Sequence, residues 1–172
     1  DPVSIMEAAI DSANKKLLEK SRSAPEFEGM GTTLVMAAVC NDIIYIANIG
    51  DSRLYVIDDE IRQITRDHSF VQEMVTLGKL DKKTAKTHEK KNYLTRALGV
   101  EEGTIADFFE IKSIKGGRIL MCSDGLTNMV EDDDIKSIVS GRSDIREAVK
   151  ALIEAANKNG GMDNITAVLI EP

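Results

Sequence analysis

No stretch of about 18 apolar residues occurs in the 172-residue chain, so nothing in it reads as a membrane-spanning helix. The N-terminus lacks the basic-then-apolar order of a secretory leader. Cysteine is scarce. Cys40 ends one apolar run and Cys122 lies inside another, which fits a reducing compartment better than a disulfide framework. The expected location is therefore cytoplasmic. The only histidines, His68 and His88, stand far apart with no cysteine near them, so a zinc site is not indicated. There is no CxxC pair, no GxSxG nucleophile elbow, no internal repeat and no low-complexity segment. Gly29-Met30-Gly31-Thr32-Thr33 is glycine-rich but lacks the lysine and helix of a phosphate-binding P-loop. Basic residues are too few to balance the acids. The net charge of −7 works against binding a nucleic-acid backbone or an anionic membrane, and Lys82 to Lys91 is the only basic run.

What is present reads as one globular domain over residues 1–172, with 42% hydrophobic and 30% charged residues. Ile5, Met6, Ala9, Ile10, Ala13, Leu17 and Leu18 recur at helical spacing, so an amphipathic helix is predicted, fraying into Ser21 to Glu28. The period then changes. Short strands are predicted at Thr32–Val39, Ile43–Ile49, Arg53–Ile57 and Ile61–Ile64, joined by turns at Asn41-Asp42 and Asp58-Asp59. Such short connections make an antiparallel meander. Helical spacing returns at Phe70–Leu77, with Gly78 as its stop and Asp81 capping a second short helix through Thr87. Asn92 to Leu98 fits neither period. Strands are predicted at Ile105–Ile111 and Arg118–Cys122, joined through Lys115-Gly116-Gly117. Helices follow at Asp132–Val139 and Asp144–Asn157, then a last strand at Ile165–Ile170. Asp144 and Glu147 have capping-box spacing, and Gly160-Gly161 closes that helix. The fold class is α+β, with helices packed on one antiparallel sheet or on a two-sheet sandwich.

The acidic residues fall at strand ends. Asp124 stands just past the strand ending at Cys122, and Asp163 just before the strand beginning at Ile165. If those strands pair antiparallel, both carboxylates meet at one sheet edge. Asp51 and Asp67 likewise follow strands. Carboxylates so placed suit hard divalent cations, which take oxygen ligands, and paired cations can clamp a phosphoryl group. Taken singly, each motif is an ordinary Asp-Gly or Gly-Asp turn. Asp132-Asp133-Asp134 reads as a helix-start charge cluster with no metal role.

In order, Gly31-Thr32-Thr33, Gly50-Asp51-Ser52-Arg53, Thr65-Arg66-Asp67-His68-Ser69, Leu94-Thr95-Arg96-Ala97-Leu98-Gly99, Ser123-Asp124-Gly125-Leu126 and Asp163-Asn164-Ile165-Thr166 resemble the PPM, or type 2C, metal-dependent serine/threonine protein phosphatases. The bacterial branch that opposes Ser/Thr kinases in signalling is the most similar. The resemblance implies an antiparallel β-sandwich flanked by helices. It implies that Asp124 and Asp163 are catalytic ligands of a two-metal Mn²⁺ or Mg²⁺ centre, and that Asp67, with Asp124, holds a third metal. It gives Asp51, Gly125 and Asn164 supporting roles, Asn164 by orienting the loop that bears Asp163. Residues 70–91 resemble a flap beside the active site, whose lysines would meet acidic or phosphorylated substrate. The implied reaction is hydrolysis of phosphoserine and phosphothreonine by a metal-bridging hydroxide without a phosphoenzyme. The implied partners are phosphorylated proteins, including a Ser/Thr kinase.

The family's N-terminal strands carry an arginine, an acidic residue and an Asp-Gly that this sequence does not contain. The chain begins at Asp1 rather than at Met, and is expected to be a piece of a longer protein. On this reading the piece alone binds metal weakly, has little activity, and self-associates through open strand edges. The competing expectation is a non-catalytic pseudophosphatase or regulatory module of the same fold.

Overall fold

A computed structural model describes residues 1–112 and 116–171. They form two compact units. One comprises residues 1–51 and 66–111, the other residues 52–65 and 112–171. Lys115, placed in a connecting turn by the sequence, lies outside the described residues.

The first unit opens with helix α1, Pro2–Ser21, which has proline in its first turn where no amide partner is needed. Its buried side is Met6, Ile10, Asn14 and Leu18. The helix runs to Ser21 instead of fraying, and a single 3-10 turn, Pro25–Phe27, follows it. Strands β1 (Leu34–Cys40) and β2 (Ile43–Ile49) pair antiparallel from Leu34 opposite Ile49 to Cys40 opposite Ile43. Asn41 takes the left-handed conformation in their turn, which its short polar side chain tolerates. Helices α2 (Phe70–Thr76) and α3 (Lys82–Thr87) come next. The Asp81 carboxylate accepts from the amides of Lys83 and Thr84, the cap that the sequence predicts. The residues between Asn92 and Leu98 form no strand, and make only isolated bridges from Leu94 to Ser69 and from Leu98 to Thr32. Strand β5, Asp107–Lys112, completes a three-stranded sheet in the order β1-β2-β5. It begins two residues later than predicted, and Ile105 is solvent-exposed. Met6 and Ile10 pack on Ala47, Ile49, Leu98 and Ala106 to make the core. Asn14 is buried but satisfied: it donates to Glu101 O (2.9 Å) and accepts from the Gly99 amide (2.7 Å), tying the 97–103 loop to α1.

The second unit is built on a four-stranded antiparallel sheet in the order β4-β3-β6-β7. Its strands are β3 (Arg53–Ile57), β4 (Ile61–Gln63), β6 (Arg118–Cys122) and β7 (Ala167–Ile170). Helices α5 (Asp132–Ser140) and α6 (Ile145–Lys158) cover it, with Ile135, Val139, Ala148, Leu152 and Ala156 fully buried against Tyr55 and Leu120. Asp144 caps α6 through the amide of Arg146, its second residue. Strand β7 starts at Ala167 rather than Ile165, because the amide and carbonyl of Thr166 both go to Ser123. Between Ser123 and Val130 the sequence suggests only a turn. The chain there forms a four-residue helix, α4 (Asp124–Thr127), with Leu126 buried in the core.

Candidate metal centre

In the second unit β6 pairs antiparallel with β7, Cys122 opposite Ala167. The end of one strand therefore lies beside the start of the other. Ser123 clips the two together. Its amide donates to Thr166 O (3.1 Å), and its Oγ donates to Asn164 O (3.2 Å) and accepts from the Thr166 amide (3.0 Å). Gly125 packs so closely on the facing backbone that an added Cβ would overlap Asn164 O. This sets Asp124 at the first position of α4 and Asp163 in the opposing loop, in each other's electrostatic field.

The pair carries a cost in charge. Burial and the Asp163 carboxylate push Asp124 above the ordinary carboxylate value, and the Gly125 amide, the Arg53 charge and the Asn128 amide recover part of that. Asn128 Nδ2 donates to Asp124 Oδ2 at 3.1 Å. The Asn164 amide donates to Asp163 Oδ1 at 2.7 Å, while the Asn164 carbonyl is held by Ser123, so Asn164 fixes the loop from both ends of its peptide. Tyr55, fully buried, accepts from Arg53 Nη1 (2.8 Å) and donates to Asp132 Oδ1 (3.1 Å). Asp132 thus begins α5, as expected of the acidic cluster, and also anchors the tyrosine, a role without a local sequence signal. A divalent cation answers this donor set: two carboxylates, one strained by the other, with their remaining lone pairs oriented by amides.

The first unit brings Asp51 and Asp67 into one backbone assembly. Gly50 and His68 exchange bonds, Gly50 N to His68 Nδ1 (3.1 Å) and His68 N to Gly50 O (2.9 Å). Asn48, fully buried, donates to Gly50 O (3.3 Å) and to Arg66 O (3.0 Å). Arg96 pairs with Asp107 at 2.7 Å, and His68 Nε2 stands 3.2 Å from Asp107 Oδ2. Burial lowers the imidazole below its ordinary value; Asp107 and Asp67 oppose this and Arg96 adds to it. Asn48 and Asp107 have no role in the sequence reading, and Ser123 enters it only as part of the Ser123-Asp124-Gly125-Leu126 motif. One signal was present for Asn48: a polar residue inside the apolar run Ile43–Ile49. Among the described residues, no group of three or more His, Cys, Asp or Glu side chains is arranged to hold a metal ion.

Residues 2–169 match the model of the protein phosphatase 2C family. The serine/threonine phosphatase stp of Listeria monocytogenes serotype 4b is 40% identical over 167 residues, covering 96% of this chain and 66% of its own length. Protein phosphatase PhpP of Streptococcus pneumoniae serotype 2 is also 40% identical, over 146 residues, 84% of this chain and 59% of its own. The chain thus spans about two thirds or less of these relatives. Among solved structures, the serine/threonine phosphatase Stp1 from Staphylococcus aureus superposes with a TM-score of 0.93 at 35% identity, covering 98% of this chain and 68% of that one. The catalytic domain of the phosphatase PstP in complex with two manganese ions gives 0.89 at 33% identity, with 98% and 70% covered. The antiparallel sheets and flanking helices are thus shared with proteins alike in sequence as well as in shape, and the chain belongs to the protein phosphatase 2C family.

Proposed function

We propose that this chain carries the core of a metal-dependent phosphatase acting on phosphoserine and phosphothreonine in proteins. The observation that carries the reading is the antiparallel pairing of β6 with β7, which stands Asp124 beside Asp163. These two carboxylates would hold Mn²⁺ or Mg²⁺, and Asp67 would be a further ligand. When bound, such ions supply positive charge to phosphoryl oxygens and make nearby water a stronger acid. The chain's own residues do the positioning. Asn128 and the Gly125 amide aim Asp124, the Asn164 amide aims Asp163, and Arg53 adds a fixed positive charge within reach of Asp124. Asp51 would have a supporting role.

Residues 70–91 would serve as the flap. They include α2 and α3, with Lys82, Lys83, Lys86 and Lys90 exposed, in a chain that is otherwise acidic. That local charge suits phosphorylated protein substrates, among them a partner Ser/Thr kinase. Among the described residues no helix is long and apolar enough to cross a membrane, and the cytoplasm is the proposed location. A pseudophosphatase of the same fold is the second reading, favoured by the lack of a three-ligand cage among the described residues.

Hydrolysis of p-nitrophenyl phosphate separates the two readings. It is measured with Mn²⁺ and with EDTA, for this chain and for a form extended to the length of its relatives. Mn²⁺-dependent turnover is expected, falling by more than about a hundredfold in Asp163→Ala and Asp124→Ala, since even residues behind metal ligands cost 10–100-fold. Near wild-type rates in either variant would remove the assignment. No turnover in either form with Mn²⁺ would favour the pseudophosphatase.

A further inference from the structure

His68 sits at 3% exposure and Asn48 at none, and both bond to the main chain of Gly50. Neither is explained by a ligand role. Their bonds run to the main chain on both sides of two acidic residues. Gly50 immediately precedes Asp51, and its amide and carbonyl are both taken by His68. Arg66 immediately precedes Asp67, and its carbonyl is taken by Asn48, whose other bond goes to Gly50 O. His68 immediately follows Asp67, and its carbonyl accepts from the Thr95 amide at 2.9 Å. Gly50 itself is left-handed, and an added Cβ there would overlap Thr33, so this turn has no freedom to relax.

Behind the imidazole stands Asp107, held by Arg96 at 2.7 Å. The Gly50 amide donates to Nδ1, so the ring proton belongs on Nε2, the atom 3.2 Å from Asp107 Oδ2. No aligned acceptor meets Nε2, so Asp107 acts on it as a nearby negative charge. Arg96 also donates to Ile105 O at 3.0 Å, which fixes the segment leading into β5.

We propose that His68 is a positioning residue. It acts through Gly50 on Asp51 and through its own main chain on Asp67, with Asn48 and the Arg96–Asp107 pair holding it in place. The two carboxylates are thereby kept in one arrangement before any cation arrives. The proposal rests on the reading of Asp67 as a cation ligand and Asp51 as its support, and it gives the Thr65–Ser69 and Leu94–Gly99 motifs one shared purpose: the second braces the first.

The test uses this chain, with amide exchange at Gly50 and Mn²⁺-induced broadening of the amide signals of Arg66 to Ser69 and of Asp163. His68→Ala removes the acceptor for the Gly50 amide. In His68→Asn the side-chain oxygen stands where Nδ1 did. His68→Ala is expected to lose Gly50 protection and to need about tenfold more Mn²⁺ for half broadening at Asp67. His68→Asn is expected to recover most of both, and broadening at Asp163 is expected to be unchanged in either variant. Restoration by asparagine is what a merely space-filling histidine would not show. If His68→Ala leaves the Mn²⁺ dependence at Asp67 unaltered, the positioning role is wrong although the metal reading survives. If wild type shows no broadening at Asp67, the ligand reading itself fails and takes this role with it. Should His68→Ala not fold, Asp107→Asn, at a third-exposed position, is expected to weaken Mn²⁺ at Asp67 several-fold, and no change would overturn the proposal.

Discussion

At the scale of single residues, the second unit's carboxylate pair is held by contacts that leave little room. Gly125 is the tightest. Its missing Cβ is what allows α4 to approach the Asn164 carbonyl, and with it the loop bearing Asp163. Gly125→Ala must push that loop away, and overpacking of this kind costs about 1–3 kcal/mol. Urea denaturation is expected to show that loss, with weaker Mn²⁺ binding beside it. Unchanged stability together with unchanged Mn²⁺ affinity would mean that the close approach does not position Asp163. The sequence names Gly125 and Asp124 readily, since Asp-Gly after an apolar strand is a visible pattern. It does not reveal Ser123 as the clip or Asn128 as the partner of Asp124, because serine and asparagine are ordinary in turns and their partners are fixed only by the fold.

At the scale of elements, legibility follows the strength of local period. Strands β2, β3 and β6 and helix α3 have the bounds that apolar alternation, turn residues and the Asp81 cap predict. Helix α4 was hidden because four residues are too few to show a period, and its opening Asp-Gly imitates a turn. Strand β7 starts later than the sequence predicts because Ile165 and Thr166 have strand chemistry, yet the Thr166 main chain is claimed by Ser123. The assembly around β2 was least legible. Asn48, His68 and Asp107 are far apart in the chain and meet only once β2, the loop before α2 and β5 are in place.

That assembly also has a pH signature. Burial depresses His68, so the folded state binds its proton less tightly than the unfolded chain, whose value is near 6.5. The stability it contributes is present above that value and is lost as pH falls through the lower folded value. The charged groups acting on the ring are Asp107, Arg96 and Asp67. Asp107, itself held low because Arg96 and His68 outweigh its burial, adds a separate loss only below its ordinary 3.8. Thermal melts from about pH 7 down to about pH 5 are expected to show falling stability, with a shallower slope in His68→Asn. Identical slopes would mean that the imidazole is not held neutral by its surroundings.

At the scale of the whole molecule, the two units present open sheet edges. Strand β1 has β2 on one side and no described strand on the other, and β7 likewise pairs only with β6. Each carries a half-exposed valine, Val39 at 54% and Val168 at 47%. Unpaired main-chain groups beside apolar side chains invite pairing with another copy. The chain is therefore expected to self-associate as its concentration rises, and Val168→Lys to reduce this by placing charge on the β7 edge. A clean monomer by size-exclusion chromatography at all concentrations would count against it.

The claim on which the rest depends is that Asp124 and Asp163 share a divalent cation. Crystals of this chain grown in saturating Mn²⁺, measured at the manganese absorption edge, test it directly. The account expects anomalous density within about 2.0–2.6 Å of carboxylate oxygens of both Asp124 and Asp163, the range of hard-cation oxygen bonds. Manganese bound elsewhere, with none between these two carboxylates, would contradict it.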